Sequence, residues 1–181
     1  MPLKAHYILD FSALGIVYIL IYFLHEKGRD KWHKLIFSLT FLYLSLVLFV
    51  TLMPFQIINL QGNELYMQKI NLRPFNDILE QHLGAKRETY LNIIMFMPLG
   101  FFLPQLKKRG FFKTLFIAFC GSLFIELMQL LYLLSGTIYL RAFDVTDLIN
   151  NTLGGALGYL IYIIFKPLIK KLEKAVRDQR F

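Results

Sequence analysis

Glu126 and Gln129 lie inside the apolar run Thr114 to Leu134, and Arg141, Asp144, Asp147, Asn150 and Asn151 follow closely. An ionised side chain at membrane depth costs at least about 2.5 to 3.5 kcal/mol, so such a group faces a partner or a polar cavity and marks a functional site by default. Three carboxylates beside one arginine support three chemistries. They can transfer protons as general acid and base, hold a divalent cation through oxygen, or engage a ligand's head group through hydrogen bonds and a bidentate guanidinium. No motif selects among these. The sequence has no HExxH, GxSxG or Walker loop, and its four histidines (His6, His25, His33 and His82) lie outside the apolar runs. No catalytic nucleophile is evident, with Ser122 and Thr137 as candidates near the group. The sequence thus names no catalytic residue, metal site or cofactor.

The spacing shows which elements must position these groups. On a helix, Ser122, Glu126 and Gln129 fall four and three apart on one face, which Tyr132 and Leu133 continue. Asn150, Gly154 and Gly158 share a face of the next apolar segment, and the two glycines form a GxxxG element that permits close helix approach. That face is expected to pack against the segment carrying Glu126 or the one before it. Arg141, Asp144, Asp147 and Asn150 recur every three residues, which groups them on a helix or on a tight turn leading into one. Arg141 can pair with Glu126 or Asp144, while Asp144 and Asp147 suit equally the exposed N–H groups of a helix start. Upstream, Asn92 precedes Phe96-Met-Pro98-Leu-Gly100 by one turn. Pro98 removes a helix hydrogen bond and Gly100 allows close packing, leaving Asn92 to reach the carboxylates across the interface. A purely architectural reading stands beside the functional one: Glu126 pairs with Arg141, and Gln129 and Asn150 lock helices at about 0.6 kcal/mol per bond.

The composition states what surrounds this group. Of 181 residues, 56% are hydrophobic and 16% aromatic, above the roughly 45 to 50% apolar content of a soluble domain. Five apolar segments stand out, about Tyr7 to Leu24, Leu35 to Met53, Leu91 to Leu106, Thr114 to Leu134 and Leu148 to Phe165. This pattern predicts an all-α membrane protein, a single domain over residues 1–181 with about five transmembrane helices. The third segment is short and holds Pro98 and Pro104, so a kinked or partly re-entrant form is an alternative. The first is too long for a signal-peptide core and is expected to remain. Cys120 is the sole cysteine, which excludes an internal disulfide, a CxxC pair and a cysteine metal cluster.

The net charge of +8 comes from short segments flanking the apolar runs, which argues for membrane orientation and against a nucleic-acid partner. Fourteen Lys and Arg lie in the 26–34, 107–113 and 166–180 segments, against six in the alternate set. The positive-inside rule then predicts an outside N-terminus and a cytoplasmic C-terminus, with residues 166–181 a basic cytoplasmic tail on the anionic inner leaflet. Glu126 would lie roughly 12 Å below the outer end of its helix, and every polar candidate in the outer half. Between the second and third segments, Ile78, Leu79 and Leu83 predict a short amphipathic helix at the outer interface, ending at Gly84.

Taken in order, Asn71-Leu-x-Pro74-Phe75, Asn92-x3-Phe96-x-Pro98-Leu-Gly100, Ser122-x2-Ile125-Glu126-x2-Gln129 and Arg141-x2-Asp144-x2-Asp147-x2-Asn150-Asn-Thr152-x-Gly154-Gly155-x2-Gly158 resemble the VanZ-like family of bacterial membrane proteins. The resemblance covers residues 71–162; the first two spans and the tail match only in being apolar or basic. It implies a multi-pass protein of the bacterial cytoplasmic membrane, related to resistance to the lipoglycopeptide teicoplanin, and brings no agreed catalytic activity. Its recurrent polar positions fall on Asn92, Glu126, Gln129, Arg141, Asp144, Asp147 and Asn150, with Pro98, Gly100, Gly154 and Gly158 as packing positions. Two functions compete. In one, an outward polar pocket binds the head group of a membrane lipid or lipoglycopeptide; in the other, an intramembrane enzyme modifies an envelope lipid or glycan. A proton-coupled transporter is a third, which five spans without an inverted repeat would satisfy only as a homo-oligomer.

Overall fold

Asp30 starts the second helix in a way that its sequence dictates. Its carboxylate accepts the backbone N–H of His33 at 3.0 Å, satisfying one of the donors that every helix start leaves unpaired. The structure, a computed structural model, describes residues 3–53, 70–134 and 143–178. Helix α1 (Leu3–Ile21) closes with one π-helical turn, Tyr22–Glu26, and α2 (Lys31–Thr51) follows. A two-residue strand β1 (Ile70–Asn71) and one helical turn α3 (Asn76–Leu79) lead to α4 (Ala85–Leu106). Then come α5 (Phe111–Leu134), strand β2 (Phe143–Asp144) and α6 (Val145–Asp178).

The chain is an all-α membrane protein. Five helices are long and apolar enough to cross a bilayer: His6–Glu26, α2, α4, α5 and α6. Large apolar side chains such as Leu24, Phe112, Phe116 and Ile164 point outward, which water tolerates poorly over a wide surface and hydrocarbon accepts.

The helices differ from the apolar runs at their ends. The third span is not short: α4 begins at Ala85, behind Gly84 at φ 95°, and stays helical through Pro98 and Pro104 for 22 residues, about 33 Å. Its first turns are polar, so hydropathy alone misses them. Conversely, the amphipathic helix expected up to Gly84 is a single turn, because Gln81 takes a left-handed φ of 56°. Leu79 and Leu83 are both exposed. Residues 166–178 are no separate segment but the continuation of α6, a helix of 34 residues and about 51 Å. Arg177 near its end reaches Asp30 at 3.2 Å, tying the extension back to the start of α2.

The centre of the bundle is the contact of α4 with α6. A Cβ on Gly154 would collide with the Ile93 carbonyl oxygen, one on Gly158 with that of Met97, and one on Gly100 with that of Gly155. Backbones touch here because no side chain intervenes. The contacts advance together along both helices, so α4 and α6 run parallel, with α5 antiparallel between them in sequence. Gly155 faces Ala118 of α5, completing a three-helix core with Phe96, Leu99, Leu103 and Ile125. Helix α2 joins it through Val47 and Leu52 and through Tyr43, whose hydroxyl donates to the Met95 carbonyl at 2.8 Å. Tyr43→Phe is expected to weaken the α2–α4 contact by about 1 kcal/mol, read as a lower denaturation midpoint at unchanged expression. Helix α1 lies outermost, held to α2 by Tyr18 against Phe37 and Phe41 and by Tyr18 and Ser38 hydroxyls 2.9 Å apart.

Candidate functional site

The predicted polar face of α5 exists and is buried. Ser122, Ile125, Glu126, Gln129, Tyr132 and Leu133 all point into the bundle, with Ser122 0% and Glu126 2% exposed. A carboxylate so enclosed must be met by donors, and one comes from outside the helix. The Asp144 backbone N–H donates to Glu126 Oε2 at 3.0 Å. Asp144 occupies β2, so Glu126 fixes the chain at the point where it turns into α6.

Asp144 is the hub of this corner. Its Oδ1 accepts the Thr146 backbone N–H at 2.6 Å, a cap on the first turn of α6. Its Oδ2 accepts the side-chain amide of Asn71 at 3.1 Å, and the same two residues are register partners in the parallel pair β1–β2. The capping reading of Asp144 is thus realised, and the same carboxylate holds Asn71. Next to it, the Thr146 hydroxyl accepts the backbone N–H of Phe75 at 3.0 Å. Phe75 holds a left-handed φ of 60°, a conformation of non-glycine residues that surrounding contacts must enforce.

Asp147, in the first turn of α6, accepts a hydrogen bond from the Asn92 side-chain amide. This is the α4–carboxylate contact that the spacing predicts for Asn92. Beside it lies a niche of about 20 Å³ lined by Asp77, Glu88, Thr89, Asp144 and Asp147 among others, room for about one water-sized group. Four carboxylates line it, and among the described residues no lysine or arginine does. Among the described residues, no three acidic, histidine or cysteine side chains converge closely enough to hold a metal ion.

The remaining candidates lie apart from this corner. Gln129 donates instead to the Thr51 backbone carbonyl at 3.3 Å, binding α5 to the end of α2. Asn150 is buried at 2% exposure, and its amide nitrogen has no hydrogen-bond partner among the described residues. Ser122 is no exposed nucleophile: its hydroxyl accepts the Asn151 amide at 2.9 Å across the α5–α6 interface. Gly100, Gly154 and Gly158 line the α4–α6 contact as packing positions, while Pro98 lies within the unbroken α4. Arg141 and Thr137 lie outside the described residues. The structure thus brings Asn92, Glu126, Asp144 and Asp147 to one end of the bundle and adds Asn71, Phe75 and Thr146. The signal for Asn71 and Phe75 was the Asn71-Leu-x-Pro74-Phe75 stretch, whose partner across the fold, Thr146 included, no local spacing reveals.

Comparison with known proteins identifies the family. No solved structure matches the chain. It is similar to the Protein VanZ of Enterococcus faecium, 30% identical over 138 residues that cover 75% of this chain and 79% of that protein. The VanZ/LLP1 family matches residues 11–166, so the likeness extends past the motif core into the first two spans. The match spans most of the sequence, and the chain belongs to the VanZ/LLP1 family.

Proposed function

We propose that this is a cell-envelope protein of the bacterial cytoplasmic membrane whose Glu126–Asp144–Asp147 corner binds the head group of an amphiphile while the ligand's tail stays in the bilayer. The observation that carries it is the acidic niche at that corner, where Asp77, Glu88, Asp144 and Asp147 share one lining with, among the described residues, no lysine or arginine. Such a niche suits one ammonium, amide or hydroxyl donor of a larger head group. The charge asymmetry of the connectors supports an outward-facing site, which is the side that meets lipoglycopeptides and envelope lipids. The likeness to the Protein VanZ favours a lipoglycopeptide of the teicoplanin class, with Arg141 contacting a carboxylate or phosphate of the same ligand.

The test is mass spectrometry of what co-purifies with the wild type and with Arg141→Ala and Asp147→Asn, each at matched membrane levels. The expected result is an amphiphile retained by the wild type and reduced at least tenfold in both variants, with a parallel gain in teicoplanin susceptibility. Identical retained species and unchanged susceptibility in both variants would overturn the reading.

A further inference from the structure

At the end of the bundle opposite Glu126, a cavity of about 560 Å³ opens between the start of α2, the α4–α5 connector and the extension of α6. Its walls carry Lys108, Arg109, Lys166 and Lys170, together with Trp32 and Tyr162. Among the described residues the only carboxylate on its lining is Glu173, which is already engaged by Arg177 at 2.7 Å. Arg177 in turn holds Asp30. Among the described residues, none of the four lining cations is within ion-pair distance of a carboxylate. Four like charges around one recess raise each other's energy unless an anion sits among them.

The position in the bilayer says which anion is at hand. Lys166 follows Val145 by 21 residues of continuous helix, about 31 Å of rise, which matches a hydrocarbon core of about 30 Å. The cations therefore lie at the level of the phosphates. Trp32 and Tyr162 stand at the same level, as aromatic side chains do where ring and polar tip meet different solvents. Pro104 and Tyr159, which precede the cations on α4 and α6, line the cavity on the bilayer side, and a glycerol backbone and the first methylenes of an acyl chain can lie against them. A volume of this size is within the range of small-molecule sites and admits a phosphodiester head group.

We propose that this cavity is a binding site for the phosphodiester head group of an anionic phospholipid in the leaflet at the basic end of the bundle. Lys108 and Arg109 from the connector and Lys166 and Lys170 from α6 would grip one phosphate from two sides. The lipid would thereby clamp the α6 extension to the α4–α5 turn. This site is separate from the acidic corner and does not depend on the ligand proposed there.

The experiment uses the full chain in nanodiscs of phosphatidylcholine, with and without phosphatidylglycerol, and counts retained lipids by native mass spectrometry; melting temperature is followed in parallel. At about a fivefold contribution per cation near the membrane surface, Lys166→Gln/Lys170→Gln and Lys108→Gln/Arg109→Gln should each weaken phosphatidylglycerol retention by roughly 30-fold. Lys171→Gln/Lys174→Gln, on the same helix but off the cavity lining, should leave it within about twofold. Lys166→Arg/Lys170→Arg should restore retention, which separates lost charge from lost fold. Equal losses in the cavity and control pairs would overturn the proposal, because they indicate general attraction to an anionic surface. So would stabilisation by inorganic phosphate in lipid-free detergent equal to that by phosphatidylglycerol, which would assign the cavity to a soluble anion.

Discussion

Gly158→Ala is expected to lower the unfolding free energy by about 3 kcal/mol, the upper end of the usual overpacking range, and to deplete the protein from membranes. A Cβ there meets the Met97 carbonyl oxygen, its carbonyl carbon and its Cα. These are backbone atoms of a continuous helix and cannot rotate aside, so α4 and α6 must move apart along their whole contact. Gly154→Ala acts in the same way on Ile93, one turn earlier. The two defects share one helix separation, so the double variant should lose less than the sum of the singles. Gly110→Ala is the control, since nothing lies within 4 Å of its added methyl. The check is a denaturation series in detergent, with membrane abundance measured alongside. A Gly158→Ala protein as stable and abundant as the Gly110→Ala protein would refute the close-packed interface.

Glu126→Ala is expected to have the second large effect, and Glu126→Gln to separate its causes. The alanine variant strands the Asp144 backbone N–H at a part-buried position. Losing a hydrogen bond to a charged acceptor costs about 1.5 to 3 kcal/mol, and the β1–β2 pair that holds Asn71 on Asp144 should loosen with it. Glutamine retains a carbonyl oxygen of nearly the same reach and can still accept that N–H. If Glu126 positions the acidic corner, Glu126→Gln should retain most ligand retention while Glu126→Ala loses at least tenfold. Abolition of function by Glu126→Gln at normal abundance would instead favour an acid–base enzyme, because only titration is removed. An Ala variant whose abundance falls in step with its activity would assign the residue to architecture alone.

The polar half of this protein was legible in the sequence to an unusual depth. Spacing alone placed Ser122, Glu126 and Gln129 on one helix face and Asn150, Gly154 and Gly158 on another, and both faces are buried. Helical periodicity is a local property, so any helix long enough to form must display it. The five spans follow from the same kind of reasoning, because a lipid-facing helix has to satisfy its own backbone and present apolar side chains. The ends were less legible. Residues 85–90 of α4 and 166–178 of α6 are polar or basic stretches of continuous helix, and hydropathy registers only the portion inside hydrocarbon.

What spacing could not assign was partnership. Gln129 and Glu126 share a face, yet one ends on the Thr51 carbonyl of α2 and the other on the Asp144 N–H, because they meet different neighbours one turn apart. Asn71 and Asp144 are separated by 73 positions and become neighbours only through a two-residue parallel ladder. The sequence by itself determined the class of protein, its family motifs and the inward faces of its helices, since all of these rest on local period and composition. Only the tertiary structure decided that α6 lies parallel to α4, that Asp144 rather than Asp147 closes on Glu126, and that four cations surround one recess at the opposite end. Those are properties of how helices register against one another, and that register is fixed by contacts between residues far apart in the chain.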